Sequence, residues 1–442
     1  MAFQPAVSSS PPSTRTSRTR RTRFVCISDT HNCTVKLPKG DVLIHAGDLT
    51  NQGSYSELSK AVQWLEKTDF ESKIVVAGNH DLTLDPTYSP PSPFSPDCLS
   101  LLTSSPSINY LSHHPVTIHL SSPTGPRTKF TVFGSPYSPA HSTGSSSSTS
   151  WAFQYPRSSP FARQLWDDIP LSADIVVTHT PSHTHCDEDV GRRRAMGCED
   201  LRQALWRVRP RLHVCGHVHP ARGAERVRWE LEGGNVRFAE SGVERWVDEA
   251  VGGGKMSLVD LTGHKGGRVL DNDGEHAREI EEDDEDGDGF RKDGREERER
   301  VDERRYGEGK EWHCYGLCPA QLSPTDNPVS DADTPTTPAD DAPAISPGAG
   351  TLGLGLGLSP DNTDRRRRSP ARSDAAALRG RMGRRETCVV NCAILASNYP
   401  HAGGRRFNKP IVVDIELPVW ESGREGGRGG GGEDGEAVTE RM

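Results

Sequence analysis

The sequence predicts an α/β domain, because short apolar runs alternate with amphipathic helical patterns through its first half. The runs are five residues long and rich in Val and Ile, as buried strands are. A second observation is that polar motifs directly follow most of these runs, at the strand ends where open sheets build their sites. The six runs are 24–28, 42–46, 73–77, 129–133, 174–178 and 211–215.

Two segments show the spacing of an amphipathic helix. In 56–67 and again in 198–208, apolar residues recur every three or four positions and so share one face. The first segment follows the second strand run, and the second segment precedes the last one. Alternation of this kind indicates a sheet with helices packed against it.

The composition divides the chain into five parts. Hydrophobic residues make up only 33% of the 442 residues, which is low for a chain that is packed throughout. We expect a disordered basic tail at 1–23, the main part of the domain at 24–235 and a disordered insertion at 236–386. Strands within 387–418 return to complete the domain, and 419–442 form a Gly-rich tail. An organellar transit peptide is the alternative interpretation of the basic tail.

Charge and cysteine content limit the partners and the compartment. The net charge of −9 argues against binding of a nucleic-acid polymer, and no apolar run reaches the ~18 residues of a membrane span. We expect a cytoplasmic protein whose ten cysteines are free thiols. The pairs Cys314–Cys318 and Cys388–Cys392 have a spacing that structural zinc permits, but their Pro-rich and strand-like surroundings favour free thiols.

Five short motifs follow five of the strand runs. Each supplies a carboxylate, an amide oxygen or an imidazole, a set that suits Mn, Fe, Zn, Co or Ni better than Ca. One such motif is weak evidence, but five in order at strand ends predict a metal site. His45 and His213 lie within strands and are interpreted as packed or hydrogen-bonded side chains, not as metal ligands. The motifs are Ser28-Asp29-Thr30-His31, Gly47-Asp48, Gly78-Asn79-His80-Asp81, Thr178-His179 and Gly216-His217-Val218-His219.

The motif series resembles the calcineurin-like metallophosphoesterase superfamily. The match is closest to its metallophosphoesterase-domain proteins, which are related to the class III cyclic nucleotide phosphodiesterases. It covers about 24–220 and 387–418 and implies a fold of two packed mixed β-sheets flanked by helices. The matching segments are SDTH, GDVLIHAGDLT, KIVVAGNHDLTLD, FGSPYSP, VVTHTP, GCEDL, PRLHVCGHVH and NKPIVVDIELP.

The resemblance implies two divalent metal ions, manganese, iron, zinc or similar. It assigns Asp29, His31 and His219 to the first ion, Asn79, His179 and His217 to the second, and Asp48 as a bridge between them. His80 is expected to face the substrate without binding metal, and Asp81 to orient His80. The Ser-rich loop 141–150 and the insertion after His219 depart from the family pattern and affect the rim of the pocket.

The expected function is hydrolysis of a small phosphate ester by a hydroxide that two metal ions activate. The resemblance points to a phosphodiester of the cyclic nucleotide kind. One alternative is a phosphomonoesterase or protein phosphatase. Another is a non-catalytic, metal-stabilised scaffold whose disordered arms bind protein partners. The complete ligand set and His80 favour an enzyme.

Substrate contacts are sought in the loop after the serine run. Trp151 is a candidate for stacking on a base, and Arg157 for binding a phosphate. The alternative is that Trp151, Phe153 and Tyr155 simply pack this loop onto the domain. His183 and His185 are interpreted as surface polar residues.

Overall fold

The computed structural model describes residues 18–88, 94–140, 151–189, 194–232, 238–248, 254–264, 268–273, 377, 383–397 and 404–420. All of these belong to one unit of the chain, formed by 1–280 together with 367–442. The second unit, 281–366, lies outside the described residues. So do most of the predicted basic tail, the loop 141–150 and the predicted Gly-rich tail from residue 421.

The strands are numbered in chain order. They are β1 Thr19–Ile27, β2 Val42–Ala46, β3 Ser72–Val76, β4 Ile108–Tyr110, β5 His114–His119, β6 Lys129–Ser135, β7 Ser138–Pro139, β8 Gln154–Tyr155, β9 Ile175–Thr178, β10 Glu188–Asp189, β11 Arg194–Ala195, β12 Leu212–Cys215, β13 Gly223–Trp229, β14 Glu240–Arg245, β15 Ser257–Asp260, β16 Glu386–Asn391 and β17 Ile411–Pro418. The helices are α1 Tyr55–Glu66, α2 Pro96–Thr103, α3 Pro160–Asp167 and α4 Glu199–Val208, with short 3-10 turns at Leu82–Leu84 and His219–Ala221.

Most strands join one of two mixed sheets. The first has the order β15-β17-β1-β2-β3-β4, and the second has the order β14-β13-β16-β12-β9-β6-β5. Parallel neighbours such as β1–β2–β3 and β6–β9–β12 form the centre of each sheet. In the first sheet the antiparallel pair is β17–β1, inside the sheet, whereas in the second sheet antiparallel pairs such as β5–β6 lie to the side. Parallel strands covered on both faces must be apolar on both faces, which explains the continuous Val and Ile runs.

The two sheets pack face to face through alternate side chains. Val42 and Ile44 of β2 share one buried cluster with Leu212 and Val214 of β12 in the other sheet. Leu43 of β2 points the other way, into the layer formed by α1 and α2. Helices α3 and α4 cover the outer face of the second sheet. The predicted fold class, two packed mixed sheets flanked by helices, is confirmed.

The predicted helix at 56–67 is α1, which begins one residue earlier. Ser54 caps it through a capping box, in which the Ser54 hydroxyl accepts from the Glu57 amide and the Glu57 carboxylate accepts from the Ser54 amide. Leu58, Val62 and Leu65 form its buried face, and burying each is worth roughly 1.5–3 kcal/mol. Among the described residues, every helix is too short or too polar to span a lipid bilayer.

The cysteines of the described residues are all free thiols, as expected. Cys388 and Cys392 lie buried in the cluster between the sheets, where they pack as small apolar side chains. The Cys392 thiol donates to the carbonyl of Cys215 at 3.2 Å. Cys314 and Cys318 lie outside the described residues.

The late strands enter both sheets. β17 pairs antiparallel with β1 over Thr19–Cys26, and β16 lies between β12 and β13. The two strands therefore complete different sheets of the domain. The expected start of order at Phe24 is wrong, since β1 begins at Thr19. The amino-terminal half of β1 is polar and forms a strand because β17 supplies its hydrogen-bond partners.

The predicted boundaries of the insertion are corrected as well. β14 pairs with β13, and β15 pairs with β17, although both lie inside the segment 236–386 that was expected to be disordered. Asn272 then pairs with Arg384, and the amide of Asp273 donates to the carbonyl of Gly383 at 3.3 Å. Asp273 and Gly383, between which only Ala377 is described, therefore lie side by side.

This pairing predicts that the segment 281–366 can be replaced by a Gly-Ser link. The deletion retains the contacts of Asp273 with Gly383 and of Asn272 with Arg384 on either side of the segment, and a shorter loop has a lower entropic cost of closure. We expect a soluble protein with a melting temperature within about 4 °C of the parent, measured by calorimetry. Deletion of 387–418 is the control, since it removes β16 and β17 and should abolish folding. Insoluble or unfolded protein after removal of 281–366 alone would contradict this organisation.

Candidate metal centre

Five turns meet at the edge where the two sheets come together. Three of them follow β1, β2 and β3 of the first sheet, and two follow β9 and β12 of the second. The carboxyl ends of these parallel strands open on the same edge, so side chains just beyond them converge. The turns bring all seven predicted metal ligands together: Asp29, His31, Asp48, Asn79, His179, His217 and His219.

The first group of ligands consists of Asp29, His31 and His219. One ligand atom from each lies within 4.8 Å of the others. Nε2 of His219 is 3.1 Å from Oδ1 of Asp29, and the rings of His31 and His219 are 5.4 Å apart between centroids. The first two residues are buried, and His219 is half-buried.

The second group lies around His179. Its Nε2 atom is 2.9 Å from Oδ1 of Asn79 and 3.2 Å from Nδ1 of His217. Asp48 stands between the groups, with Oδ2 at 3.6 Å from Nε2 of His31 and Oδ1 at 3.5 Å from Nε2 of His179. One carboxylate thus offers an oxygen to each side, which is the geometry expected of a bridging ligand.

These spacings fit divalent transition ions. Nitrogen and oxygen ligands lie ~2.0–2.2 Å from such an ion, which puts neighbouring ligand atoms about 3.0–3.5 Å apart. The separations of His219 from Asp29 and of His179 from Asn79 and His217 are 2.9–3.2 Å, those of Asp48 from His31 and His179 are 3.5–3.6 Å, and the ligand atoms of the first group all lie within 4.8 Å of one another. Backbone carbonyls of Ala46 and Thr50 hold the Nδ1 atoms of His179 and His31, at 3.0 and 3.2 Å, which leaves each Nε2 atom for a metal ion.

Protonation suits metal binding at Asp29, Asp48 and His31 but not at His219, whose pKa the Asp29 carboxylate raises against burial, so this ring must lose a proton before it can bind a metal ion. Burial by itself would raise the pKa of Asp29, but the imidazoles of His219, His179 and His31 hold it far below its usual range. The pKa of Asp48 is lowered by neighbouring histidines against burial in the same way. Burial lowers the pKa of His31 despite its two carboxylate neighbours. Ionised carboxylates and a neutral imidazole are the forms that bind metal ions.

The backbone of the turns is strained at the ligands. Asp29, His31, Asp48 and His217 have φ angles of 55°, 45°, 54° and 67°, a left-handed conformation that costs ~1–3 kcal/mol at a non-glycine residue. Gly216 has a different constraint, because a Cβ atom there would collide with the side chains of Ser28 and Asp29. This glycine lets the turn after β12 approach the turn after β1.

Asp81 does not have the role expected from the resemblance. Its buried carboxylate accepts hydrogen bonds from the amides of Gly78, Leu49 and Thr50 and from the Thr50 hydroxyl, at 2.7–3.2 Å. The ring of His80 is held instead by the carbonyl of Asn51, 2.9 Å from Nδ1. Asp81 therefore ties the turn after β2 to the turn after β3. Burial and nearby Asp48 raise its pKa to about 6.

Of the two residues expected to contact the substrate, only one lies at the centre in the structure. Trp151 lies at the centre, with its ring centroid 4.1 Å from that of His80. Arg157 is not available for a phosphate, since its two terminal nitrogens donate to the carbonyls of Gly197 and Met196 at 2.6 and 2.7 Å. Phe153 and Tyr155 are buried and pack the loop onto the domain, which was the alternative interpretation.

The histidines after His179 also differ from expectation. His185 is buried, not on the surface, and its Nδ1 and Nε2 atoms lie 3.2 and 3.1 Å from the carboxylates of Glu225 and Glu240. Burial alone would lower its pKa, but the two carboxylates raise it. His183 is half-buried, 3.8 Å from Glu199. The partners of His185 lie 40 and 55 residues away, so local sequence gave no signal of them.

Arg405 is a residue of the centre that the sequence did not reveal. Its Nη1 atom donates to the carbonyl of His31 at 3.0 Å and lies 2.9 Å from the sulfur of Cys33. The side chain is exposed at the rim and comes from the stretch between β16 and β17. A positive residue just before the NKPIVVDIELP segment was the available signal, and the 374-residue separation from His31 hid it.

A family model and several known proteins match this chain. A family model described as calcineurin-like phosphoesterase matches residues 22–221. "Probable rhamnogalacturonate lyase C" of Emericella nidulans is 41% identical over 229 residues, which is 51% of this chain and 20% of that protein. "Metallophosphoesterase domain-containing protein 1" of Homo sapiens is 37% identical over 221 residues, 46% of this chain and 62% of that protein. "UPF0046 protein K07C11.7" of Caenorhabditis elegans is 33% identical over 238 residues, 52% of this chain and 71% of that protein.

The collision at Gly216 gives a test of the site geometry. We expect Gly216→Ala to displace the Asp29 carboxylate and to lower the number of metal ions bound per chain, measured by elemental analysis after equilibration with Mn²⁺. Gly223→Ala is the matched control. Its added Cβ would meet nothing closer than the carbonyl of Ala221 at 3.9 Å, so it should retain the metal content of the parent. Equal metal content in both variants would contradict a close contact between the turn after β12 and the Asp29 carboxylate.

Proposed function

We propose that this protein, which belongs to the calcineurin-like phosphoesterase family, hydrolyses phosphate esters with metal ions bound at the candidate centre. One observation carries the proposal: two groups of ligand atoms face each other across the Asp48 carboxylate. The chain spans a fifth of the Emericella relative and 62% of the human one. With so little of the Emericella protein matched, its printed name gives no activity to this chain.

The chain's own residues prepare the centre for this reaction. Two divalent ions, one held by Asp29, His31 and His219 and one by Asn79, His179 and His217, would supply positive charge to phosphoryl oxygens and lower the pKa of a nearby water. Asp48 fixes the separation of the groups, and the backbone amide of His80 donates to its Oδ1 atom at 2.8 Å. Asp81 holds the turns of Asp48 and Asn79 in register, so the ligands need little rearrangement on binding.

His80 is proposed to protonate the leaving oxygen. Because its Nδ1 atom donates to the Asn51 carbonyl, Nε2 is the nitrogen that exchanges a proton with a substrate. The half-buried ring stands beside His31, with 4.8 Å between the ring centroids, and so borders the first metal group. General acid catalysis from such a position is worth ~10²–10⁴ in rate.

The proposed substrate is a small phosphodiester with an aromatic base, such as a cyclic nucleotide. Trp151 supports this choice, because its half-buried ring lies against His80 at the mouth of the centre. The amide of Ala152 donates to the carbonyl of Asn79 at 3.2 Å, which fixes Trp151 beside the ligand turn. An aromatic ring held there can stack on a base while the phosphate lies at the ligands.

The role of His80 predicts a rate loss that depends on the leaving group. His80→Ala should bind as much metal as wild type and lose ~10²–10⁴ in kcat for esters with poor leaving groups. For nitrophenyl esters the loss should be smaller, since nitrophenolate leaves without a proton. The measurement compares kcat for alkyl and nitrophenyl phosphodiesters with Mn²⁺ or Zn²⁺ present.

Two results would change the assignment of His80. Loss of metal in His80→Ala would make it a ligand, since its ring already lies close to Asp48 and His31. His264→Ala is the control, because that exposed histidine pairs with Glu416 away from the centre and should keep wild-type rates. Absence of any esterase activity in wild type, on monoesters and diesters with several metals, would favour the scaffold alternative.

The role of Trp151 predicts a loss specific to substrates with a base. Trp151→Ala should raise KM for cyclic nucleotides by about 5–150-fold, the range for losing one base-stacking contact. Trp151→Phe keeps an aromatic face and should lose much less. KM for a diester without a ring, such as a glycerol phosphodiester, is the reference. Equal changes in KM for both substrates would show that Trp151 only packs the loop.

A further inference from the structure

Two buried histidines lie behind the centre, one in each sheet. His45 is in β2, three residues before Asp48, and His213 is in β12, four residues before His217. Both are fully buried, and neither is among the predicted metal ligands. Each contacts a threonine that neighbours a ligand of one group.

His213 acts on the second group through Thr178. Its Nε2 atom is 2.9 Å from the Thr178 hydroxyl, and that hydroxyl donates its proton to the carbonyl of Thr180 at 2.6 Å. Thr178 has one proton, so it must accept from His213, whose Nε2 atom therefore carries hydrogen. Since Thr178 and Thr180 flank His179, these bonds close the turn around that ligand.

His45 makes the corresponding contact on the first group. Its Nε2 atom is 3.0 Å from the hydroxyl of Thr30, the residue between Asp29 and His31. The same hydroxyl lies 3.4 Å from the carbonyl of Leu49, next to Asp48. One threonine thus links the turn after β1 to the turn after β2.

We propose that His213 and His45 are positioning residues, each of which holds the ligand-bearing turn of one metal group through its threonine. The inference rests on the metal centre of the proposed function. It predicts that each histidine affects metal binding at one group only. Loss of His213 should weaken metal binding at the second group, and loss of His45 should weaken it at the first.

Packing alone does not account for these histidines. Among the described residues, Nδ1 of each ring is buried without a hydrogen-bond partner. Such an unsatisfied atom costs ~1–3 kcal/mol, which an apolar side chain of similar size avoids. Burial also lowers the pKa of His213 to about 3 and that of His45 to about 4, so both rings stay neutral donors. What an apolar residue cannot supply is the hydrogen bond to the threonine.

The test measures Mn²⁺ binding to the metal-free full-length chain by calorimetry. His213→Leu should weaken the binding step of the second group by ~10–100-fold and leave the first within about threefold. His45→Leu should do the reverse, so each variant controls for the other. Asn79→Ala, which removes a ligand of the second group, identifies that group's binding step. His213→Gln should restore affinity, since its amide nitrogen donates from a similar position.

Stability separates positioning from packing. The metal-free His213→Leu protein should melt at or above the wild-type temperature, although its metal affinity is lower. Thr178→Val should give the same loss of affinity, and the double variant should lose no more than either single one. Thr178→Val therefore tests the proposal even if His213→Leu does not fold.

Two outcomes would overturn the inference. One is unchanged metal affinity in His213→Leu and Thr178→Val. The other is an equal loss at both binding steps in either histidine variant. Because these readouts need no substrate, selective loss of metal binding without any esterase activity would sustain this inference while the proposed function fails.

Discussion

The close approach of the two sheets at the carboxyl ends of their parallel strands is the constraint on which the centre depends. Several hydrogen bonds cross between the sheets there. For example, Nδ1 of His179 donates to the carbonyl of Ala46 at 3.0 Å, and the amide of His217 donates to Asp29 at 3.1 Å. The apolar cluster between the sheets holds these turns together, and Gly216 leaves room for the contact. Ligand residues from five separate turns can therefore meet without an additional helix or strand between them.

The sequence was sufficient to predict which seven side chains meet at the candidate centre, because their signals are local. Each follows a buried apolar run within a few residues, and each has a side chain that can offer an oxygen or nitrogen atom to a metal ion, as Asp48 does after β2. The same locality fixed α1 and α4. The predictions that were wrong concern strands whose partners are distant in sequence. The first residues of β1 pair with β17, and so does β15. Arg157 was misinterpreted for the same reason, since the carbonyls it binds lie about 40 residues away.

The polar residues behind the ligands explain how a strained centre persists. Asp81 accepts amides from two turns, and His45 and His213 hold threonines beside the ligands. Left-handed backbone at Asp29 and Asp48 is unfavourable by itself, so the surrounding hydrogen bonds and packed sheets must hold it. The free energy of packing in the core thus offsets the backbone strain, and the ligand atoms are already in position before a metal ion binds.

We infer that two metal ions share Asp48, and anomalous diffraction from crystals equilibrated with Mn²⁺ or Zn²⁺ can show them. We expect two peaks about 3.5–4 Å apart, with one oxygen of the Asp48 carboxylate on each ion. His179, Asn79 and His217 should bind one ion, and Asp29, His31 and His219 the other. A single peak, no peak, or an ion held by His80 in place of His31 would contradict it.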